Sequence, residues 1–276
     1  MELEGAVGIL TGASRGLGVH LADHLAACGV DLALAARSAD ELESTAARVT
    51  AKGVRALALP TDVTDGAQLA ALVEKASTEL GPVDLLVNNA GVEQIGYFHT
   101  MEPAAIERVI AVNLTAAEVL TRMVLPGMIE RKRGHVVNVS SAAGKTAMPY
   151  NTVYSSTKHA LVGFSWSLRE EVKPHGIGVS VVCPTFVSTG MFQAWGAGKR
   201  PPGLAGVVGG DRVADATIAA IREDRAEVIV APPLARMVDV FHAISPELTT
   251  EAARRSGLYA FLEAEARRQS GRSEGS

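Results

Sequence analysis

Short apolar runs separated by helical stretches are the feature that most limits how this chain can fold. Seven runs of four to seven residues lie at 6–11, 30–36, 54–59, 83–88, 135–140, 177–183 and 227–230. Most positions in them are apolar, which is typical of strands buried on both faces of a parallel sheet. The alternation predicts an α/β fold with a doubly wound parallel sheet of about seven strands between two helical layers, a three-layer αβα arrangement.

Length and charge indicate a single soluble domain. The 276 residues carry a formal net charge of −4, which argues against nucleic acid as a main partner. No apolar run approaches the roughly 18 residues of a membrane span, and the N-terminus lacks the basic region of a signal peptide. Two cysteines are too few for a disulfide framework. We therefore expect one domain over 1–276, without a membrane span and located in the cytoplasm.

Two segments fall outside the alternation. Residues 186–210 are rich in glycine, which favours a mobile flap over a ligand. Residues 234–269 are predicted to form a helical C-terminal extension. Its apolar positions from Leu234 to Ile244 would pack on a second subunit or over the mouth of the active site, with a membrane surface as the alternative contact. The last residues, 270–276, are predicted to be disordered.

A glycine-rich turn joins the first predicted strand to the first predicted helix. Its three glycines let the backbone approach a pyrophosphate closely, and the amides at the helix N-terminus would bind it. The strand–turn–helix context therefore predicts a dinucleotide-binding loop. The residues assigned to this loop are Gly12, Ser14, Arg15, Gly16, Leu17 and Gly18.

The residue that follows the second strand bears on which nicotinamide dinucleotide binds. A carboxylate there would bind the ribose 2′-hydroxyl of NAD, whereas an arginine favours the 2′-phosphate of NADP. This chain has Ala36 followed by Arg37, and Arg15 lies in the glycine-rich loop. We therefore predict NADP (NADPH) as the cofactor and keep NAD as the alternative.

A tyrosine and a lysine four positions apart are candidates for acid–base chemistry. Tyr154 and Lys158 share one face of a predicted helix, where the ammonium group would lower the pKa of the phenol. Ser141 closes the fifth strand, at the sheet edge where ligands bind in open α/β folds. Asn113 interrupts a long helical stretch, and a bound water is expected to satisfy its buried amide.

Taken in chain order, these motifs resemble the short-chain dehydrogenase/reductase family, in its single-domain branch. The resemblance covers about 3–230. It rests on the loop at 11–18, Asp62-Val63, Asn88-Asn89-Ala90-Gly91, Asn113, Ser141, Tyr154-Ser155-Ser156-Thr157-Lys158 and the segment 184–189. It implies a Rossmann-type fold, hydride transfer between a nicotinamide dinucleotide and a ketone or secondary alcohol, and a homodimer or homotetramer.

The resemblance also implies a role for each matching residue. Tyr154 would exchange a proton with the substrate oxygen, Ser141 would hold that oxygen, and Lys158 would lower the Tyr154 pKa and bind the nicotinamide ribose. Asn113 would hold a water that links Lys158 to solvent. The other cofactor contacts, beside Tyr154 and Lys158, would come from Asp62, Val63, Asn89, Ala90, Gly91, Pro184, Val187 and Thr189.

The substrate pocket is predicted to be mostly apolar. The family usually has Pro-Gly after the sixth strand, where this chain has Pro184-Thr185, so the Thr185 side chain is expected near the nicotinamide and the substrate. The residues assigned to the pocket are Glu93, Ala143, Met148, Thr185, Phe192 and Trp195, of which Glu93 is the one charged residue. The expected substrate is a hydrophobic ketone, such as a 3-oxoacyl or steroid-like compound.

Two other functions remain open alongside an NADP-dependent oxidoreductase. They are an NAD-dependent alcohol dehydrogenase of the same family and a non-catalytic dinucleotide-binding regulator. The presence of all four acid–base residues favours an enzyme. No metal site is predicted, because His20 and His24 share a helix face without an evident third ligand.

Overall fold

The computed structural model describes residues 1–193, 195, 201–202 and 205–273. Its central sheet has seven parallel strands in the order β3-β2-β1-β4-β5-β6-β9. These strands are β1 (Val7–Thr11), β2 (Asp31–Ala36), β3 (Ala56–Pro60), β4 (Leu85–Asn88), β5 (Gly134–Val139), β6 (Ile177–Pro184) and β9 (Glu227–Val230). The predicted fold class is confirmed, and each predicted run overlaps one strand of this sheet.

Helices cover both faces of the sheet. They are α1 (Leu17–Ala27), α2 (Ala39–Thr50), α3 (Gly66–Glu79), α4 (Pro103–Ile110), α5 (Ala116–Arg131), α6 (Thr152–Val172), α7 (Gly190–Gln193), α8 (Gly210–Arg222), α9 (Pro233–Ile244), α10 (Pro246–Arg255) and α11 (Leu258–Ser273). One apolar core lies between the sheet and α1, α2 and α8, and a second lies between the sheet and α3, α5 and α6. Alternate strand residues enter the two cores, so Leu10 belongs to the first and Ile9 to the second.

The strand order creates a crevice at one edge of the sheet. Strand β1 pairs with β2 on one side and with β4 on the other, so the connections leave β1 in opposite directions. Ligands bind in open α/β sheets at the carboxyl ends of strands beside such a reversal. The ends of β1 and β4, at Thr11 and Asn88, therefore mark the predicted site.

The segment predicted as a flap carries short elements of its own. Two-residue strands, β7 (Phe186–Val187) and β8 (Val207–Val208), pair in parallel, and α7 lies between them. Residues 194, 196–200 and 203–204 of the predicted flap lie outside the described residues.

The C-terminal extension folds back over this segment through α11. A third apolar core contains Ile95, Trp195, Leu262 and Ala266. By contrast, Phe241 and Ile244, near the end of α9, are 53% and 76% exposed. The packing of 234–244 on a second subunit stays a prediction, while within one chain α11 packs in the third core. This helix also runs to Ser273, past the predicted start of the disordered tail, while 274–276 lie outside the described residues.

One helical stretch meets the length and hydropathy criterion for a membrane span. It runs over Pro103–Arg131 and joins α4 and α5 through a π-helical turn. Leu120, Val124 and Met128 of this stretch belong to the second core, against α3 and the sheet. Such packing is typical of a helix in a protein core. A core helix can be as long and as apolar as a membrane span, so these two properties do not indicate a membrane span here.

Candidate active site

The glycine-rich loop has the shape of a phosphate cradle. Gly12 adopts φ 66°, and a Cβ there would lie 2.9 Å from the Cα of Ala90. A Cβ on Gly18 would overlap the carbonyl oxygen of Gly12. Gly16, the N-cap of α1, offers no side-chain acceptor, so the first amides of α1 have no side-chain cap. These amides and the close-packed backbone fit a dinucleotide pyrophosphate.

Residues after β4 hold this loop in place. The Asn89 amide donates hydrogen bonds to the carbonyl oxygens of Thr11 and Gly12, at 3.0 and 3.1 Å. The Thr11 hydroxyl accepts from the backbone N–H groups of Asn89 and Ala90, both at 3.0 Å. The side chain of Asn89 therefore positions the loop, a contact that the sequence did not indicate.

The residues predicted to bind the adenosine half meet at the ends of β2 and β3. Arg37 is exposed after β2, and its charge helps to lower the pKa of Asp62, after the larger effect of hydrogen bonds from Thr64. Ser38 is the N-cap of α2 and makes no side-chain capping bond. Arg37 thus lies beside a helix N-terminus, a combination that favours an anion. Val63 is buried next to Asp62, and Arg15 is exposed on the loop.

The segment that follows β6 lies over the loop. A Cβ on Gly16 would lie 3.3 Å from the Cα of Gly190 and 3.9 Å from the Thr189 hydroxyl. The Thr189 N–H donates to the carbonyl of Val187 at 2.7 Å. Pro184, Val187 and Thr189 thus lie between the sheet edge and the cradle, and their contacts with a cofactor stay a prediction.

Ser141 lies close to Tyr154 at the end of β5, and its hydroxyl acts to lower the pKa of Tyr154. The Ser141 hydroxyl oxygen also accepts from the N–H of Ala143 at 3.1 Å. Ser140 instead donates to the carbonyl of Lys158 at 2.9 Å, inside the core. The structure therefore places Ser141, and not Ser140, beside the tyrosine hydroxyl.

Burial dominates the acid–base properties of Tyr154 and Lys158. It raises the pKa of Tyr154 above its ordinary value, with a further contribution from the charge of Glu93, and it lowers the pKa of Lys158 to about 8. The Lys158 ammonium donates to the carbonyl of Val139 at 2.8 Å and lies 5.5 Å from the centre of the Tyr154 ring. The predicted lowering of the Tyr154 pKa is therefore not found in this arrangement, because the ammonium group is directed at a backbone carbonyl.

Asn113 lies in the π-helical turn Ala111–Thr115, and its side chain is bonded by protein groups. Its Oδ1 accepts from the N–H of Val92, and its Nδ2 donates to the Val92 carbonyl, both at 2.8 Å. Nδ2 also donates to the Thr157 hydroxyl at 3.2 Å. Protein groups therefore bond both ends of this amide, and the predicted water at Asn113 stays a prediction. A Cβ on Gly91 would lie 3.5 Å from the Asn113 Oδ1 and 3.7 Å from the Lys158 Nζ, so the three residues meet at one point.

Four of the six predicted pocket residues come together. Met148 and Phe192 pack with Trp195 in the third core, and the Trp195 indole N–H donates to Glu93 Oε1 at 2.5 Å. Ala143 is buried between β5 and α6, where its carbonyl accepts from Ser155. The Thr185 hydroxyl donates to the carbonyl of Ala205 at 2.5 Å, so it fixes the base of the 186–210 segment.

Sequence reasoning missed the aromatic and aliphatic partners of this pocket. The Phe186 ring lies 5.1 Å from that of Phe192 and 5.5 Å from that of Trp195, measured between centroids. Phe261 and Leu262 of α11 complete the cluster. The helical spacing of Leu258, Leu262 and Ala266 is a signal that would have indicated an apolar face.

Within the described residues, no group of three or more histidine, cysteine or acidic side chains is arranged to hold a metal ion. His20 and His24 face Asp211 and Asp215 of α8, with His20 Nδ1 at 2.6 Å from Asp211 Oδ1. These pairs join α1 to α8.

Comparison with known proteins agrees with this geometry. The family model described as short chain dehydrogenase matches residues 6–200. A ketoacyl reductase, HetN, from Nostoc sp. is 42% identical over 229 residues, which is 83% of this chain and 79% of the relative. A metagenomic short-chain oxidoreductase solved in complex with NADP is 33% identical, with a TM-score of 0.71 over 84% of this chain and 99% of the other.

A second solved structure, a variant of the actinorhodin polyketide ketoreductase with NADPH, is 29% identical. Its TM-score is 0.78, over 83% of this chain and 97% of the other. The family match spans more than half of the chain, and the cradle and the Tyr154–Ser141 pair stand at the sheet edge that the fold reserves for ligands. The chain therefore belongs to the short-chain dehydrogenase family and is an NAD(P)-dependent oxidoreductase that acts on CH–OH and C=O groups.

Proposed function

We propose that this protein is an NADPH-dependent ketoreductase that interconverts a hydrophobic ketone and its secondary alcohol. The observation that carries the proposal is the placement of Tyr154 next to Ser141 at the end of β5, where the serine hydroxyl acts on the ionisation of the phenol. The ammonium nitrogen of the buried Lys158 lies 5.5 Å from the centre of the Tyr154 ring, and Ser141 follows β5 on the same sheet edge as the cradle. The names of HetN and of the actinorhodin ketoreductase support a carbonyl substrate.

The nicotinamide, when bound, supplies or accepts the hydride. Ser141 donates a hydrogen bond to the carbonyl oxygen, and Tyr154 gives that oxygen its proton during reduction and takes it back during oxidation. The raised pKa of Tyr154 keeps the phenol protonated, as proton donation requires. Lys158, held by Val139, lies close enough to stabilise the phenolate once the proton has left.

The test of this proposal is the oxidation of NADPH by the purified protein with a series of hydrophobic ketones. Tyr154→Phe removes the proton donor while it keeps the ring, so turnover should fall by about 10²–10⁴-fold. Tyr97→Phe is the matched control, since that hydroxyl bonds Glu263 on the surface side of the third core. Tight NADPH binding without turnover in the wild-type protein would instead favour the non-catalytic regulator.

The preference for NADPH rests on Arg37 beside the uncapped start of α2. Arg37→Ala should weaken NADPH binding by about 10-fold or more, the value of one charge-assisted hydrogen bond, and leave NADH binding unchanged. Arg48→Ala removes a charge from the same helix, where the guanidinium pairs with Asp23, and should change neither affinity. Equal affinity of the wild-type protein for both dinucleotides would replace this proposal with the NAD-dependent alternative.

We also infer a cytoplasmic homo-oligomer, a homodimer or a homotetramer. Ile110 at the end of α4 and Trp166 on α6 support this, because these large apolar side chains are 38% and 47% exposed.

A further inference from the structure

A carboxylate lies between the reaction centre and the apolar cluster. Glu93 follows Gly91, the residue that packs against Asn113 and Lys158. Its negative charge acts on the Tyr154 hydroxyl. On the other side, Trp195 of the 186–210 segment donates to its Oε1. Glu93 therefore stands where a substituent of the substrate would lie while the carbonyl carbon faces Tyr154 and Ser141.

The hydrogen bonds of this carboxylate are incomplete. A carboxylate has about four acceptor positions. Trp195 uses one on Oε1, and the Asn151 amide uses one on Oε2 at 3.2 Å. Asn151 is 3% exposed, and its own Oδ1 has no hydrogen-bond partner within the described part of the chain. A buried amide oxygen without a donor thus lies next to a carboxylate that has one donor on each oxygen.

The charge of Glu93 is also uncompensated. Among the described residues, no arginine, lysine or histidine acts on the ionisation of Glu93. The charged side chain that does act on it is Glu265 of α11, which carries a charge of the same sign. Glu265 is paired with Arg268. A half-buried carboxylate with two neutral donors and a like charge nearby costs free energy unless further donors or a cation satisfy it.

We propose that Glu93 recognises a hydrogen-bond donor, a hydroxyl or an ammonium group, that the substrate carries next to its reacting carbonyl. This inference rests on the proposed ketoreductase function and names the substrate class more closely. The substrate is then a ketone with a donor-bearing substituent at the Glu93 wall and an apolar remainder in the cluster of Met148, Phe192 and Trp195.

The test compares ketones that differ only in this donor. The probes are α-hydroxyacetophenone, its methyl ether α-methoxyacetophenone, which has no donor, and α-aminoacetophenone as the ammonium salt. In the wild-type protein, kcat/KM for the hydroxy ketone should exceed that for the methyl ether by about 10-fold, through KM, since a hydrogen bond to a charged group is lost. Thermal stabilisation of the NADPH complex by each ketone reports binding independently of turnover.

Two substitutions at position 93 separate the possible donors. Glu93→Leu should abolish the preference for both donor ketones. Glu93→Gln should retain most of the preference for the hydroxyl and lose that for the ammonium group, because the amide accepts a hydrogen bond but has no charge. Unchanged NADPH affinity shows that each variant is folded.

The outcomes distinguish this inference from the proposed function. Reduction of all three ketones without a preference, or a preference that survives in Glu93→Leu, would overturn the role of Glu93 and leave the ketoreductase proposal standing. NADPH binding without reduction of any ketone would overturn the ketoreductase proposal. In that case the thermal shifts still decide whether Glu93 selects donors.

Discussion

The ionisation of Glu93 makes the stability of this protein depend on pH. Burial raises the pKa of the Glu93 carboxyl from its ordinary 4.5 to about 7, with a smaller contribution from the charge of Glu265, while the bonds from Trp195 and Asn151 act in the opposite direction. The unfolded chain therefore loses this proton at a lower pH than the folded chain. The stabilisation is fully present below the unfolded pKa and is lost as the pH rises through about 7.

The size of the effect follows from the two pKa values. A difference between 4.5 and about 7 corresponds to about 3 kcal/mol. Most of it, about 2.5 kcal/mol, should be lost between about pH 5 and about pH 8, because the unfolded carboxyl is already largely ionised at the lower limit. His135 acts in the opposite direction, because burial lowers its pKa from 6.5 to about 4 and the stability that it costs at about pH 5, about 2 kcal/mol, is regained by about pH 8. The contribution of Glu93 is therefore read from the difference between the wild-type protein and a variant at position 93, in which His135 cancels.

Urea unfolding of the wild-type protein and of Glu93→Gln across this interval measures the effect. The glutamine does not titrate, so the free energy of unfolding of the wild-type protein should fall relative to that of the variant as the pH rises. Glu171→Gln removes a glutamate that is exposed on α6 and should follow the wild-type curve. Parallel curves for the wild-type protein and Glu93→Gln would refute the reasoning, because they would show that the folded carboxyl ionises at its ordinary pKa.

Two further predictions concern the cradle and the 186–210 segment. Gly18→Ala should weaken NADPH binding by about 10-fold or more, since the added methyl group displaces the Gly12 carbonyl and with it at least one phosphate contact. Gly66→Ala is the control, because no atom lies within 4 Å of the new Cβ. Fluorescence titration measures the NADPH affinity of both variants, and equal affinities would argue against the role of the loop as a phosphate cradle. Thr185→Ala should lower the free energy of unfolding by about 1 kcal/mol and raise KM, because the hydroxyl bond to Ala205 is lost. Thr185→Ser keeps that hydroxyl, so urea unfolding should show little change, and an equal loss in both variants would assign the effect to the missing methyl group.

The strands and the phosphate cradle could be predicted from sequence because their causes are local. A strand buried on both faces is apolar at consecutive positions, and each predicted run overlaps its strand. The first residue of a helix is harder to locate from sequence than a strand is. Asp65 caps α3 by accepting from the N–H groups of Ala67 and Gln68, whereas Asp40 lies inside the first turn of α2 and Ser38 is the N-cap. Aspartate is a favourable N-cap residue at both positions. Because β2 ends at Ala36, α2 begins early enough for Ser38 to be its N-cap and for Asp40 to lie within its first turn.

The contacts of the pocket could not be predicted because they join distant parts of the chain. The Thr185 hydroxyl lies near the substrate region in sequence, yet it bonds a carbonyl 20 residues away. Asn113 finds its partners at Val92 and Thr157. The apolar face at 234–244 is as strong a local pattern as that of α11, and only the tertiary structure shows that α11 covers the pocket.

Local motifs can be predicted from sequence and contacts between distant segments cannot. For this reason the sequence predicts the type of reaction more readily than it predicts the substrate. The cradle is built from consecutive residues, and the Tyr154–Lys158 spacing lies within one helix, so both leave motifs. The Glu93 wall instead needs four separate segments, namely the end of β4, Asn151 before α6, Trp195 of the 186–210 segment, and α11 with Glu265. Substitutions in any one of these segments change the environment of the carboxylate without touching Tyr154 or Ser141. Substrate selection can therefore vary while the acid–base residues stay the same, and the ketones that this protein accepts should depend on residues far apart in its sequence.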